Sequence, residues 1–290
     1  MSNPDQIQRI LFDELDIRGV VCGLKQTCND CFENHDYPIV IKQILGEMLA
    51  AISLLSSNLK FEGRISLQAI GKGNVGLLLA ECTHDLDLRA IARYEDELSP
   101  DAGFVDLMQE GQVVITVEPK KGQRYQGVVP LEGDSLSACL ENYFVSSEQL
   151  PTQVHLVSDG ETASGMLLQV LPAEGTAEDD WERISHLAAT LKSEELLNLD
   201  NETLLYRLFH EEQCRLYEPD ALRFKCTCSR ERSEASLKLV GKNELLDVIE
   251  ERGQIDVNCQ FCNTHYRFDS ADVEALFANA GPGTGSQQVH

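Results

Sequence analysis

The sequence predicts an α+β protein, and three observations carry that prediction. Strand-like runs follow one another through the first 172 residues, helical patterns are grouped apart from them, and composition changes sharply after Pro172. A chain of 290 residues also exceeds the size of one small module. The expected plan is a mixed α/β core domain over 1–172, a helical linker over 173–225, a small cysteine-bearing module over 226–270, and a terminal segment with a flexible tail over 271–290.

The opening stretch from Gln6 to Asp16 predicts a helix, because apolar residues recur three and four positions apart. "GVVCGL" predicts a strand, and "IVIKQILGEMLAAISLLSSNLKF" a long amphipathic core helix; Lys42, Gln43 and Glu47 interrupt it too often for a membrane span. "RISLQAI", "GLLLAECT", "RAIARYE", "GQVVITVEP" and "RYQGVVPLE" read as strands separated by turn residues. "SLSACLENYFVSS" reads as a helix capped by Asp134 or Ser135, and "QVHLVSD" and "ASGMLLQVLP" as strands. Gly71, Gly73 and Gly76 fit the dinucleotide spacing GxGxxG, but the short apolar run after them predicts a turn between antiparallel strands. Beyond Pro172, Trp181, Ile184, Leu187 and Leu191 form one helical stripe, and Leu204, Leu205, Leu208 and Phe209 another. Short helices so charged on their outer faces need a partner surface, which fits an ordinary helical subdomain or a linker folded only while its neighbours hold it.

Charge narrows the function. The 24 basic and 48 acidic residues give a net charge of −24, which repels nucleic-acid backbones and anionic lipid. The acidic N-terminus lacks the pattern of an export signal, so the expected location is cytoplasmic, where thiols stay reduced. No GxxxxGK[ST] phosphate loop is present, so no ATP-driven cycle is expected.

Ten cysteines then need an explanation other than permanent disulfides. Cys226 and Cys228 ("FKCTCSRER") and Cys259 and Cys262 ("VNCQFCNTHYRF") have the spacing of a tetrahedral zinc site, one ion held by four thiolates. Four sulfurs close the coordination and leave no place for water, which argues against hydrolysis at the metal, and His265 is not needed as a ligand. From Cys226 to Phe268, six Lys/Arg face seven Asp/Glu, which is no phosphate-seeking surface. A constitutive zinc staple and an oxidant-sensitive switch both fit; Lys225, Arg230 and Arg232 flank the first pair and would favour its thiolates. Cys28 and Cys31 form another CxxC, readable as an auxiliary dithiol or as incidental helix cysteines, while Cys22, Cys82, Cys139 and Cys214 read as small core residues.

With "FKCTCSRER" and "CQFCNTHYRF", the stretches "ENHDYP", "RYQGVVPLEGDSLSACLENYF", "SEQLPT" and "GMLLQVLP" make the chain resemble the redox-regulated heat-shock holdases, the 33-kilodalton chaperonin family. The resemblance implies a client-binding α/β core, a redox-sensitive helical linker and a small C-terminal zinc-binding domain. It implies that Cys226, Cys228, Cys259 and Cys262 bind one zinc ion when reduced, and that oxidation joins Cys226 to Cys228 and Cys259 to Cys262. Zinc would then leave, the linker unfold, and a homodimer hold unfolding client proteins without ATP, as a binding protein and not an enzyme. Ser233 stands where some relatives carry a further cysteine. The competing expectation is an acidic adaptor with a constitutive structural zinc site.

Overall fold

The computed structural model describes residues 5–13, 15–57, 62–95, 98–99, 102–171 and 178–278. Strands β1 (Gln6–Phe12) and β2 (Ile17–Leu24) form an antiparallel hairpin. The predicted opening helix is therefore a strand. Ile7, Ile10 and Leu11 mimic helical spacing because β1 has apolar surroundings on both faces: Ile7 belongs to the main core, while Ile10 and Phe12 belong to a second one. Helix α1 (Gln26–Phe32) follows, its first N–H groups taken up by the Asp5 carboxylate, which accepts from Lys25 (3.2 Å), Gln26 (2.9 Å) and Thr27 (2.6 Å).

Helix α2 (Ile39–Ser56) is long and apolar enough to cross a membrane by length and composition, yet its residues are mostly buried within the protein. The sequence reading made it one-sided; the structure buries it nearly all round, since it touches strands of two different sheets. A Cβ on Gly46 would lie 2.2 Å from Ser158 Oγ, so glycine permits this close approach.

Strands β3 (Gly63–Gly71), β4 (Val75–Thr83) and β5 (Asp87–Tyr94), the short α3 (Phe104–Met108), and β6 (Gly111–Pro119) and β7 (Tyr125–Pro130) follow in order. The Gly71–Gly76 motif is the tight turn of the antiparallel β3–β4 pair; a Cβ on Gly73 would sit 2.3 Å from Leu107 O. Helix α4 (Leu136–Tyr143) is capped by Ser135, whose Oγ accepts from Ala138 N at 3.2 Å. A π-helical turn (Phe144–Glu148) leads to β8 (Thr152–Ser158) and β9 (Ala163–Val170).

Helices α5 (Glu178–Ala189), α6 (Ser193–Asn198) and α7 (Asn201–Phe209) lay Ile184, Ala188, Leu196, Leu204, Leu205, Leu208 and Phe209 on one face of β1, β2 and β9, against Ile10, Phe12, Ile17, Val21, Met166 and Leu168. The chain then returns as β10 (Cys214–Leu216), β11 (Asp220–Ala221) and β12 (Arg223–Phe224). The linker expected to be helical over 173–225 therefore ends in strands. These strands are edge pieces of two or three residues, paired to β1 and β5, and although Cys214, Leu216 and Phe224 touch the cores, so short a run shows no period. One sheet runs β10-β1-β2-β9-β8, with β11 also on β1; the other runs β12-β5-β4-β3-β6-β7.

Residues up to Lys225 make one compact unit and those from Cys226 another, so the linker helices and strands lie within the first. The second contains α8 (Arg230–Val240), α9 (Lys242–Arg252), the antiparallel β13 (Ile255–Asn258) and β14 (His265–Phe268), and α10 (Ser270–Ala278). Its core is small: Leu237, Leu245, Ile255, Phe268, Val273 and Leu276. Of the expected terminal segment over 271–290, residues 271–278 lie in α10, and the rest, with nearly all of the expected flexible tail, lies outside the described residues.

Candidate metal centre

Two loops build the site. Cys226 and Cys228 lie on extended chain leading into α8, where Ser229 Oγ accepts from Arg232 N at 3.3 Å and starts the helix. Arg232 Nη1 donates back to Thr227 O (2.8 Å) and Oγ1 (2.6 Å), fixing the residue between the two thiols. Cys259 and Cys262 occupy the turn joining β13 to β14; Cys259 N donates to Thr264 O at 3.0 Å and Asn263 N to Cys259 O at 2.8 Å. Asn263 takes the left-handed conformation (φ 53°) that this turn requires.

All four sulfurs lie within 4.8 Å of one another. The shortest contacts cross between the loops, Cys226 to Cys259 at 3.5 Å and Cys228 to Cys262 at 3.4 Å. A zinc–sulfur distance of about 2.3 Å implies tetrahedron edges of about 3.8 Å, so the donor set fits a closed four-sulfur site. Tyr266 donates its hydroxyl to Cys228 Sγ at 3.2 Å, and Thr264 Oγ1 lies 3.1 Å from Cys262 Sγ. Hydrogen bonds of this kind orient thiolate ligands and stabilise their charge. His265 is exposed and outside the group of four.

The thiols differ in acidity. Burial, followed by the crowding of neighbouring thiols, pushes Cys226 well up, and burial likewise raises Cys259. At Cys262 burial also opposes ionisation, but hydrogen bonds from Thr264 and contacts with Cys228 and Cys226 outweigh it and bring the thiol down to about 7. The flanking cations have partners of their own. Lys225 Nζ binds Asp87 at 2.8 Å, Arg230 binds Asp272 at 2.7 Å, and Arg232 holds Thr227.

The other cysteines lie elsewhere. Cys28 and Cys31 are both buried, and burial together with Cys31 and Asp5 raises Cys28 well above an ordinary thiol. That environment is the reverse of what an oxidant-sensing thiolate needs. Cys22, Cys82 and Cys139 are buried core residues, and burial pushes Cys22 and Cys82 up to about 12; Cys214 is half-buried on β10. Thr264 and Tyr266 escaped the sequence reading, although both sit in the quoted "CNTHYRF", and Arg230 was read only as a flanking cation. Arg230 stacks 4.3 Å over the Phe268 ring and donates to Arg267 O at 2.8 Å, so one side chain braces the module's core.

A model of the family described as "Hsp33 protein" matches residues 5–269. The chain belongs to the Hsp33 family. The 33 kDa chaperonin of Pseudomonas aeruginosa is 50% identical over 297 residues, covering all of both chains. That of Shewanella sediminis is 47% identical over 275 residues, covering 95% of this chain and 96% of its own. The crystal structure of the 33 kDa chaperonin from Thermotoga maritima superposes with a TM-score of 0.84 at 22% identity, over 94% of this chain and 98% of that one, and shows the same fold. Membership in the Hsp33 family places this four-cysteine cluster in a family of chaperone proteins.

Proposed function

We propose that this Hsp33-family chain is a redox-regulated, ATP-independent holdase of the cytoplasm, a binding protein and not an enzyme. In the reduced state Cys226, Cys228, Cys259 and Cys262 hold one zinc ion, which when bound supplies folding free energy on the order of 10 kcal/mol. The observation that carries this reading is that the four sulfurs lie within 4.8 Å of one another in a unit with only six buried apolar side chains among its described residues. A core that small does not sustain a fold without a staple.

Oxidation acts on the thiolates. Cys226 pairs with Cys228 and Cys259 with Cys262, each pair of thiolates giving two electrons to the oxidant, which takes its protons from solvent, as when hydrogen peroxide and two protons become two waters. Members of a pair share one loop and stay adjacent when the unit opens, whereas the cross-loop neighbours do not. With the sulfurs in disulfides the metal is released and the second unit unfolds. The linker is destabilised in turn, and the face carrying Ile10, Phe12, Ile17, Val21, Met166 and Leu168 becomes available to unfolding clients in an activated homodimer.

The test is to treat metal-loaded, reduced protein with peroxide at mildly raised temperature. Metal release and the onset of aggregation suppression should coincide. Equal suppression by reduced and oxidised protein would remove the switch, and loss of partner binding on oxidation would favour an adaptor with a constitutive zinc site.

A further inference from the structure

Where α2 ends, the two sheets of the first unit leave a cavity of about 230 Å³. Leu55, Ile65, Ile115 and Val117 give it aliphatic walls, and Phe144 and the Tyr143 ring close one side. At its floor stands a charge. Arg18 on β2 donates through Nε (3.2 Å) and Nη2 to Gln169 Oε1. Gln169 is itself buried, and its Nε2 donates to Thr152 Oγ1 at 2.9 Å. This chain of side chains fixes the guanidinium in place.

Among the described residues Arg18 has no carboxylate within ion-pairing distance, and its Nη1 donates to nothing. The carboxylate lining the cavity, Glu148, accepts instead from the Tyr143 hydroxyl at 3.0 Å. In a chain of net charge −24, a half-buried guanidinium without a carboxylate is conspicuous. Its charged form is disfavoured by burial, which lowers its pKa from the ordinary value. A bound anion would supply the missing compensation. The lining is also drawn from three of the stretches that carry the family resemblance: Tyr125, Tyr143 and Phe144, then Glu148, and Gln169. None of them has a part in the cysteine cluster.

We propose that this cavity binds an apolar monocarboxylate, its carboxylate on Arg18 and its hydrocarbon among Leu55, Ile115 and Phe144. The volume suits a group of about one large side chain, below the usual range of about 300–1,000 Å³ for drug-sized ligands. A free medium-chain acid and the C-terminal residue of a polypeptide present the same chemistry. The site lies wholly in the first unit and does not depend on the redox reading.

Calorimetric titration of the full-length reduced protein with octanoate, and separately with N-acetyl-leucyl-phenylalanine, tests this, with octanamide and the peptide amide as controls. At least one acid should bind ten-fold or more tighter than its amide, and Arg18→Gln should abolish that preference. Val117→Phe, which fills the cavity without touching the charge, should block binding while leaving thermal stability within a few degrees, and it serves if Arg18→Gln does not fold. Binding by octanoate alone makes a free acid the ligand; binding by the peptide makes a chain end the ligand. Acids binding no better than amides, or a preference that survives Arg18→Gln, would overturn the proposal.

Discussion

Phe12 on β1 and Phe209 on α7 meet edge to face, ring centroids 5.2 Å apart at 85°. Both are almost completely buried, so this contact ties the linker to the sheet beneath it. Truncating such a ring costs about 3–5 kcal/mol. Phe209→Ala should therefore loosen the linker helices without any oxidant. The expected outcome is binding of a hydrophobic dye and measurable aggregation suppression by the reduced, metal-loaded variant. A variant as silent as the parent protein would detach linker release from activity.

Asp87 anchors the end of the same linker. Its side chain is only 4% exposed, and it accepts from Arg223 Nε at 2.6 Å and Lys225 Nζ at 2.8 Å. Burial opposes its ionisation, but hydrogen bonds and charge from Lys225 and Arg223 outweigh burial and hold its pKa below the ordinary 3.8. The stabilisation is thus present above pH 3.8 and is lost as pH falls through the lower folded value. Asp87→Asn should cost on the order of 2 kcal/mol. It should also free β12 from β5, read as faster tryptic cleavage after Arg223 and Lys225; unchanged cleavage kinetics would show that backbone pairing alone holds the strand.

These two contacts mark where sequence reasoning stopped. The four cysteines were legible because a metal site demands fixed residue types at short spacing, and α2 and most strands were legible because burial imposes a period. β1 was misread because Ile7 and Ile10 serve cores on opposite faces. The strands β10 to β12 left no pattern, since each is only two or three residues long. Asp87 and Arg223 are 136 positions apart, and Arg18 and Gln169 151 apart, so neither pair has a local signature.

A pH effect follows from β8. Gln153 and His155 alternate with Thr152 and Val154, which places them on the side packed by α6. Gln153 Oε1 and His155 Nε2 are buried there without hydrogen-bond partners among the described residues. Burial holds His155 below the ordinary 6.5, favouring its neutral form. On α6, Glu194 is exposed and Glu195 is paired with Arg207, leaving no carboxylate to receive an imidazolium. A base with a lowered folded pKa contributes stability above 6.5 that is lost as pH falls from 6.5 towards the folded value. The linker should melt at lower temperature at pH 5.5 than at pH 7.5, and His155→Phe should remove that difference. A slope that persists in the variant would assign it to other groups.

Removal of the metal bears most directly on the cysteine cluster. Among its described residues the second unit has six buried apolar side chains to support three helices and a two-stranded sheet, whereas the first has two larger cores of its own. Chelation of the reduced protein should therefore abolish the signals of α8, α9 and α10 in an amide NMR spectrum and leave those of β3 to β6 in place. Cys259→Ser should act the same way without a chelator, because one lost ligand opens the site. Oxidation should have a thiol count to match: ten cysteines less the four of the cluster leaves six reactive thiols in denaturant. Cys28 and Cys31, buried with Cys28 raised well above an ordinary thiol, should remain among those six. A count of four would instead mean that the second CxxC is oxidised as well, and that the first unit opens before its thiols react.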